Sequence, residues 1–443
     1  TYEVEERSDG IYVAIPTDTP HVRTVSDVLA ETFTRWGLRQ VFGIVGHSNL
    51  GLADALRREA EAGSLTYYGV RHEGAAAFAA SAYGKLTGRP AACFSIAGPG
   101  ATNMLTGLWD AHVDRAPAVA LTGQVASQVL GTGNFQEVDL AAAYGDVAAF
   151  EASVLPDSDH AELAGRAMKT AQVDTGVSHL IIPDEIQTQP AADAAAGGPE
   201  GRLPNRTIGA PESALTTATE VITDAVRPVV IVGYGARDDM QAVVQLAEEL
   251  DAPVLTTFKA KGQLPDAHPL AGGVLGRSGT PIASYFMNES DLLIVFGASF
   301  SNHTGISPYK PIIQVDRDPM AIGKFHEVTV PVLGDVGRTA RALVKQIGPT
   351  ETVDQREQLA HRWELWREEK RVRRQTPADR GVNYATVFHE LGEAIDPDAI
   401  ITVDVGNNTY AFGRYFEPAQ QRVLMSGYLG SIGFAFPAAM GAY

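Results

Sequence analysis

Short apolar runs alternate with segments of helical periodicity over residues 1–187. The runs QVFGIVG, AACFSIAG and APAVALTGQ are typical of buried strands, whereas SDVLAETFTRWG and GLADALRREAEAG carry apolar residues at helical spacing. Strands that are apolar throughout and alternate with helices predict a parallel sheet covered by helices on both faces. The pattern therefore predicts an α/β fold for this first region.

The same alternation returns at residues 213–350, after a Pro-, Gly- and Ala-rich stretch at 188–212 that we predict to be a linker. Residues 351–380 are highly charged and favour helix, which predicts a solvated connecting helix. A third α/β region begins at residue 381. Its one helix and one or two strands cannot close a core, so we expect residues 381–443 to be only the start of a domain.

Composition narrows the class of protein. The chain of 443 residues is 45% hydrophobic and 20% charged, which suits large cores. Its net charge of −18 argues against nucleic-acid binding, and glutamates accompany the basic run KRVRR. The single cysteine, Cys93, lies in an apolar run and is expected to be a buried core thiol. No membrane-length apolar run or secretory signal is visible, so we expect a cytoplasmic location.

One acidic residue stands out in the stretch VRHEGAAAFAASAYGKLTG, residues 70–88. Glu73 begins an alanine-rich run that predicts a closely packed helix. The next predicted strand, AACFSIAG, runs into the turn GPG, and α/β sheets bind ligands at such strand ends. The helix dipole stabilises a carboxylate at this position. From the pattern alone, Glu73 either caps its own helix, pairs with Arg71 or serves a site.

This stretch resembles the pyrimidine-binding domain of thiamine diphosphate enzymes of the pyruvate oxidase and acetolactate synthase group. The resemblance continues in family order through three regions and covers nearly the whole chain. Its further motifs are TGQV, GTGNFQEVDL, TTFKAKGQLPDAHPLAGGVLG, SDLLIVFGASF, IIQVDRDPMAIGKFHEVTVPVLGD, VDVGNNTYAFGRYF and GYLGSIGFAFPAAMGA. It implies three α/β domains, the third only begun by residue 443.

The resemblance implies that Glu73 contacts N1′ of the aminopyrimidine of thiamine diphosphate and favours its imino tautomer. The 4′-nitrogen then takes the proton from C2 of the thiazolium ring. Small neighbours would let the helix pack closely and keep the carboxylate dry. The protein supplies orientation and electrostatics, while the cofactor supplies the chemistry.

Further site residues of the first region follow from the same resemblance. Phe135 and Gln136 match a pair that lines the substrate pocket, where Phe would wall the methyl end of pyruvate and Gln would bind an oxygen. An ordinary loop aromatic beside a solvated amide is the alternative. The remaining cofactor-binding candidates are in the loops GIVGHSN, where valine replaces a common proline, and GPG: Val45, Gly46, Gly98 and Gly100. His47 is either a site residue or a surface histidine.

In the third region, Asn407 and Asn408 match residues that contact the diphosphate, and the backbone of Gly430 and Ile432 would hold the aminopyrimidine. The family's Mg²⁺ signature, Gly-Asp-Gly followed by Asn, does not occur in the sequence. No metal ligand is therefore assigned within it. We expect those ligands to lie beyond residue 443, and a protein that ended there to be inactive.

The central region resembles a domain that often carries FAD. Gly233 and Gly235 form a glycine turn in VIVGYGAR, which lacks the full dinucleotide fingerprint. Lys261 lies in TTFKAKG, and Asp316 and Asp318 follow a strand, where they would bind ribose or adenine or simply form a turn. Some relatives bind ADP or nothing here, but the resemblance favours FAD.

The function that the resemblance implies is thiamine-diphosphate-dependent decarboxylation of a small 2-oxo acid, pyruvate first. We expect a pyruvate-oxidase-like enzyme that passes electrons to FAD and then to a quinone or other acceptor. The alternatives are an acetolactate-synthase-like carboligase, an acyltransferase and a non-catalytic protein that keeps the fold for binding or regulation. Active sites formed between subunits imply a homodimer or homotetramer.

Overall fold

The computed structural model describes residues 21–191, 193–301, 303–376 and 380–443, and the backbone of an antiparallel hairpin formed by β1 (Glu3–Arg7) and β2 (Gly10–Ala14). The chain forms two compact units. The N-terminal unit contains residues 1–80, 88–108 and 115–202, and the C-terminal unit contains residues 81–87, 109–114 and 203–443. The division at residue 202 falls inside the predicted linker, and the domain boundaries themselves stay predictions.

The N-terminal unit is built on a six-stranded parallel sheet, as the alternating pattern predicted. Its strands are β3 (Gln40–Gly43), β4 (Thr66–Gly69), β5 (Ala91–Ser95), β6 (Ala118–Gln124), β7 (Ala148–Ser153) and β8 (Val177–Pro183), in the order β4-β3-β5-β6-β8-β7. Its helices are α1 (Val25–Arg35), α2 (Leu50–Glu61), α3 (Glu73–Thr87), α4 (Pro99–Asp114), α5 (Leu140–Tyr144), α6 (His160–Val173) and α7 (Asp184–Gln187). Of these, α3 and α4 have their last residues in the C-terminal unit.

The central strands of this sheet have no face exposed to solvent, and their sequences are largely apolar. Every residue of β5, β6 and β8 is buried. A parallel strand covered by helices on both sides has no solvent face, so its sequence cannot alternate between apolar and polar residues. Cys93 on β5 is fully buried, which confirms the expected core thiol, and burial raises the pKa of that thiol to about 12.

The C-terminal unit contains a second six-stranded parallel sheet. Its strands are β9 (Pro228–Val232), β10 (Val254–Thr256), β11 (Ala271–Val274), β12 (Leu292–Phe296), β13 (Ile312–Asp316) and β14 (Val330–Leu333), in the order β11-β10-β9-β12-β13-β14. Its flanking helices are α8 (Glu212–Thr223), α9 (Met240–Glu249), α10 (Pro281–Glu289) and α11 (Val336–Gln346). The two sheets confirm the predicted α/β class.

Helix α12 (Arg356–Gln375) was predicted to be solvated, and that prediction is wrong for one of its faces. One face of the helix is buried through Leu359, Trp363, Trp366 and Lys370. The first three of these pack in an apolar cluster against the six-stranded sheet of the C-terminal unit, which we call the central sheet. The indole Nε1 of Trp363 also donates to the carbonyl of Ala271 at 2.7 Å. The spacing i, i+4, i+7 places these residues on one stripe, which the high charge of the other faces concealed.

The region after residue 381 forms a small α/β layer of three helices and two strands, which has more helix than the sequence predicted. It contains α13 (Tyr384–Ala394), β15 (Ile400–Val403), α14 (Asn407–Tyr415), β16 (Arg422–Met425) and α15 (Ala435–Ala442). The two strands pair in parallel, and their apolar cluster is centred on Phe388, Phe412 and Phe416. No helix in the described part of the chain is long and apolar enough to cross a membrane.

Truncation of Trp363 tests the buried face of α12. We expect Trp363→Ala to lower the free energy of unfolding by about 3–5 kcal/mol, because it leaves a cavity and removes the hydrogen bond to Ala271. Leu365→Ala, on the exposed side of the same helix, is the matched control and should change stability by less than about 0.5 kcal/mol. Urea unfolding of both variants measures the difference, and equal effects would mean that α12 does not pack as described.

Candidate active site

Glu73 lies at the edge of the N-terminal sheet where the carboxyl ends of the strands meet. The chain passes through β3 first, places β4 on one side of it and β5 on the other, and so creates a point where the strand order reverses. Ligands of open α/β sheets bind in the crevice at such a point. Gly46 follows β3, the GPG turn follows β5, and Glu73 follows β4 at the start of α3.

Within the described residues, one polar neighbour forms a hydrogen bond with the carboxylate of Glu73. The residue is 8% exposed, and its Oε2 accepts a hydrogen bond of 3.0 Å from Nδ2 of Asn103 in the first turns of α4. No salt bridge joins Glu73 to Arg71 among the described residues, so that alternative is not formed. The positive end of the α3 dipole adds a favourable field at the carboxylate.

The alanines of α3 are explained by its contact with α4. A Cβ placed on Gly107 of α4 would lie 2.6 Å from Cβ of Ala77 and 2.7 Å from the backbone nitrogen of Phe78. The two helices therefore touch almost backbone to backbone, which only small residues permit. This contact sets the separation of the two helices whose first turns carry Glu73 and Asn103.

Space beside the carboxylate is kept open by glycine. A Cβ on Gly100 would lie 3.1 Å from Oε1 of Glu73 and 2.8 Å from Cγ1 of Ile96. A Cβ on Gly46 would lie 2.5 Å from Cγ2 of the same isoleucine. Gly46, Ile96, Gly100 and Glu73 thus form one cradle, in which Oε2 is engaged by Asn103 and Oε1 faces Gly100.

The loop GTGNFQEV lies against this cradle through Gln136. The backbone of Gln136 has φ +62° and would contact a Cβ on Gly98, itself at φ +64°. The amide Oε1 of Gln136 is buried and has no hydrogen-bond partner within the described residues. Glu137 accepts hydrogen bonds from the backbone nitrogens of Gly131, Gly133 and Asn134. These donors, that of Gly131 first, lower the pKa of the Glu137 carboxyl. The loop is therefore ordered by its own acid.

Three other predicted residues of this region have exposed side chains. Phe135 is 77% exposed at the tip of its loop, and His47 is also exposed. Val45 lines an apolar groove of about 770 Å³ together with Leu50 and Tyr67, among others, and Glu73 is not part of that lining. The structure thus brings Glu73, Gly46, Gly98, Gly100 and Gln136 together, while Val45 and Phe135 lie at the periphery.

The loops predicted to hold the cofactor in the C-terminal unit are tied to each other. The carboxylate of Asp404 accepts hydrogen bonds from the backbone nitrogens of Val405 at 2.8 Å and Gly433 at 2.9 Å. Asn407 begins α14, and Nδ2 of Asn408 donates to the carbonyl of Asp404 at 3.2 Å. Asp404 therefore joins the loop of Asn407 and Asn408 to the GYLGSIG loop.

The GYLGSIG loop itself leaves its backbone and one apolar side chain accessible. Gly430 has φ +70°, a conformation that glycine adopts at no steric cost, and its nitrogen donates to the carbonyl of Ser426. The side chain of Ile432 is 75% exposed. These features suit the predicted role of Gly430 and Ile432, which stays a prediction.

The glycine turn of the central sheet also lies where the strand order reverses, between β9 and β12. A Cβ on Gly233 would lie 2.2 Å from the carbonyl oxygen of Gly297, and the nitrogen of Gly235 donates to that oxygen at 3.0 Å. Close backbone approach therefore explains these glycines. Asp316 at the end of β13 is buried and accepts from the nitrogen of Asp318, which forms a strand-end turn.

Lys261 does not present its charge to solvent. It is 3% exposed, and its Nζ lies 3.8 Å from Oδ2 of Asp266. Burial lowers the pKa of Lys261 and raises that of Asp266 to about 6. The ammonium group thus faces the interior, and the nucleotide role predicted for Lys261 stays a prediction.

A buried polar group that the sequence analysis did not identify lies between strands of the N-terminal sheet. The ring of His179 contacts Glu151 through Nδ1 at 3.0 Å and Thr122 through Nε2 at 2.8 Å. It also stacks on Tyr144 at 3.9 Å, and the hydroxyl of Tyr144 donates to the carbonyl of Ala101 in α4. Burial lowers the pKa of His179, although Glu151 opposes this shift.

Asn103, Ile96 and Gly107 are the site residues that sequence reasoning missed. The available signal was the position of GPGATN at the start of a helix after a buried strand, which places Asn103 near a strand end. In the described part of the chain, no group of three or more His, Cys, Asp or Glu side chains would hold a metal ion.

Comparisons with known proteins agree with this architecture. Residues 23–143 match the family model of the N-terminal TPP binding domain of thiamine pyrophosphate enzymes, and residues 215–343 match the model of their central domain. The chain is 34% identical to the putative thiamine pyrophosphate-containing protein YdaP of Bacillus subtilis over 433 residues, or 95% of this chain and 73% of that protein.

Two further relatives have named activities. A probable acetolactate synthase large subunit of Methanocaldococcus jannaschii is 32% identical over 92% of this chain and 71% of its own length. The pyruvate oxidase of Lactiplantibacillus plantarum is 29% identical over 92% of this chain and 68% of its own length. The chain therefore belongs to the thiamine pyrophosphate enzyme family. Within it, the chain falls in the group that contains the acetolactate synthases and pyruvate oxidases.

The residues present fit the cofactor that defines this family. A buried carboxylate with one oxygen facing a glycine suits a ring nitrogen, because a side chain at Gly100 would fill that space. Fixed backbone groups at Gly430 and an asparagine-bearing helix start at Asn407 suit a polar ligand.

Substitution of Gly107 tests the contact between α3 and α4. Ala favours helix over Gly by about 1 kcal/mol, but Gly107→Ala forces a clash and should lower the free energy of unfolding by about 1–3 kcal/mol. Gly392→Ala, in α13 and with its nearest neighbour at 4.0 Å, is the control and should be neutral or stabilising. Denaturant unfolding compares them, and a stabilised Gly107→Ala would contradict the close packing.

His179 should make stability depend on pH. Because burial lowers its pKa, the folded state binds fewer protons than the unfolded state once the pH falls below about 6.5. Stability that His179 contributes at pH above 6.5 is therefore lost on acidification. We expect His179→Gln to be less stable than wild type at neutral pH by about 1–3 kcal/mol, and this gap to narrow towards pH 5. His361→Gln, at an exposed position of α12, is the control. A gap in stability that stays constant between pH 7 and pH 5 would be the contrary result.

Proposed function

We propose that the protein catalyses thiamine-diphosphate-dependent decarboxylation of a small 2-oxo acid, with pyruvate as the donor. The observation that carries the proposal is the buried carboxylate of Glu73 at the strand-order reversal of the N-terminal sheet, with Oε2 engaged by Asn103 and Oε1 facing Gly100. Membership of the thiamine pyrophosphate enzyme family supports it.

In this proposal Glu73 acts on the aminopyrimidine of the cofactor. Asn103 fixes one carboxylate oxygen, so Oε1 is the oxygen left to hold a proton against the ring nitrogen. The helix dipole and the dry surroundings of α3 keep the carboxyl group oriented rather than solvated. When bound, thiamine diphosphate supplies the electron sink that cleavage of the carboxylate from a 2-oxo acid requires.

The remaining predicted residues have positioning roles in the proposal. Gly430 and Ile432 hold the aminopyrimidine through their backbones. Asn407 and Asn408 contact the diphosphate group of the cofactor, which binds together with Mg²⁺. Gln136 binds an oxygen of the substrate by donating a hydrogen bond from its amide nitrogen. Its buried Oε1, which has no partner within the described residues, remains an acceptor for a further donor. Phe135, now exposed at its loop tip, packs against the methyl end of pyruvate.

The fate of the two-carbon unit defines the enzyme type. We propose that its electrons pass to FAD bound at the glycine turn of Gly233 and Gly235, and from there to a quinone or other acceptor, as in a pyruvate oxidase. The number of acetolactate synthases among the relatives favours a second candidate, transfer of the unit to a second 2-oxo acid. Either type would act as a homodimer or homotetramer.

A single assay with the full-length protein tests these statements. Pyruvate is supplied with thiamine diphosphate, Mg²⁺ and FAD, and CO2, acetolactate and dye reduction are measured together. Dye reduction without acetolactate, with visible flavin absorption in the purified protein, is the expected result. Acetolactate without dye reduction would make the protein a carboligase.

Glu73→Gln tests the proposed proton function. We expect a loss of about 100-fold or more in every product channel, because the amide cannot exchange a proton with the ring nitrogen. Glu357→Gln, at an exposed position of α12, should retain full activity. A protein that is silent in all three channels, or one in which Glu73→Gln is fully active, contradicts the proposal and favours a binding or regulatory role for the fold.

A further inference from the structure

Four charged side chains form a buried cluster inside the C-terminal unit. Nζ of Lys85 lies 2.6 Å from Oδ2 of Asp110 and 2.7 Å from Oδ2 of Asp114, and Nζ of Lys259 lies 2.6 Å from Oδ1 of Asp114. The two carboxylates are fully buried, and Ser81 donates a further hydrogen bond to Asp110 at 2.7 Å. We call Lys85, Asp110, Asp114 and Lys259 the charge cluster.

Three members of the charge cluster contact one short segment, Met425–Tyr428, at the end of β16. Nζ of Lys85 donates to the carbonyl of Met425 at 3.0 Å, and Oδ2 of Asp114 accepts from the nitrogen of Gly427 at 3.2 Å. The ammonium of Lys259 lies 5.1 Å from the ring centre of Tyr428. Moreover, a Cβ on Gly427 would lie 2.4 Å from Cδ of Lys259, so the fit is close.

Stability alone is a weak reason for such a cluster. Desolvation of buried ions costs about as much as their attraction returns, and apolar replacements are often no less stable. Burial acts to raise the pKa of Asp114, but Lys259 and Lys85 outweigh it and hold that pKa at about 2. The carboxylate therefore stays charged at neutral pH and is available to the Gly427 nitrogen at all times. Apolar residues could not replace the donor that Lys85 offers to the Met425 carbonyl or the acceptor that Asp114 offers to the Gly427 nitrogen.

We propose that Lys85 and Asp114 are positioning residues that fix Met425–Tyr428 and, through it, the loop with Gly430 and Ile432 to which the cofactor binds. The last link is short, because the nitrogens of Gly430 and Ser431 donate to the carbonyl and Oγ of Ser426 within the fixed segment. This inference rests on the proposed function for its cofactor, whereas the fixing of the segment does not. The cluster then governs cofactor affinity rather than the chemical step.

Two variants of the full-length protein test the proposal. Lys85→Met keeps the aliphatic stem but removes the donor, and Lys85→Met with Asp110→Asn does so without leaving a net charge in the cluster. Lys345→Met, at an exposed position of α11, is the control. Hydrogen exchange of the 425–433 peptide is measured in protein free of cofactor, with the 240–249 peptide of α9 as the internal reference.

Relative to wild type, both Lys85→Met variants should show faster hydrogen exchange in the 425–433 peptide but not in the 240–249 peptide. Their Kd for thiamine diphosphate with Mg²⁺, measured by calorimetry, should be about tenfold higher. At saturating cofactor, kcat should fall far less than it does in Glu73→Gln. Lys85→Arg should restore part of the affinity, because it retains the charge and the donor.

The possible outcomes distinguish a failure of the positioning inference from a failure of the proposed function. Unchanged exchange and unchanged Kd in the charge-balanced double variant would overturn the inference, as would a uniform rise in exchange across both peptides. A wild-type protein that binds no thiamine diphosphate would refute the proposed function and the cofactor role of the cluster together. The exchange data would then still decide whether the charges fix the segment.

Discussion

The candidate site depends on how closely α3 and α4 approach. Gly107 and Ala77 let the two helices touch almost backbone to backbone, and this separation brings the amide of Asn103 within hydrogen-bonding distance of Glu73. Larger side chains at the contact would part the helices and leave a buried carboxylate without its donor, which is an expensive arrangement. The alanine-rich sequence and the acid at its head are therefore two parts of one constraint.

Local sequence pattern was enough to predict the layers of the fold. Strands such as β9 and β12 are apolar throughout, and their neighbours have helical periodicity, so the parallel sheets followed from general rules. The position of Glu73 at a helix start was equally local. The role of Glu73 could not be predicted locally, because a helix cap and a buried site acid have the same sequence signature. Only the resemblance to a family favoured one of these two interpretations.

What could not be predicted depends on residues far apart in the sequence. The contact of Asn103 with Glu73, and that of Asp114 with Gly427, join positions that no period relates. Helix α12 shows a different failure, since its apolar stripe was visible in the spacing of Leu359, Trp363 and Trp366 but was outweighed by its high charge. Average composition describes a helix poorly when a single face decides its packing.

The two sheets show how one topology can serve two ends. In both, the strand order reverses beside the first strand and glycines occupy the loops at that point. In the N-terminal sheet the glycines leave room beside the carboxylate of Glu73, the side chain to which we assign the proton function in our proposal. In the central sheet Gly233 and Gly235 pack directly on Gly297, and the nitrogen of Gly235 bonds to its carbonyl. This close backbone packing accounts for both glycines without any ligand, so the glycine turn alone is a weak motif for a nucleotide site.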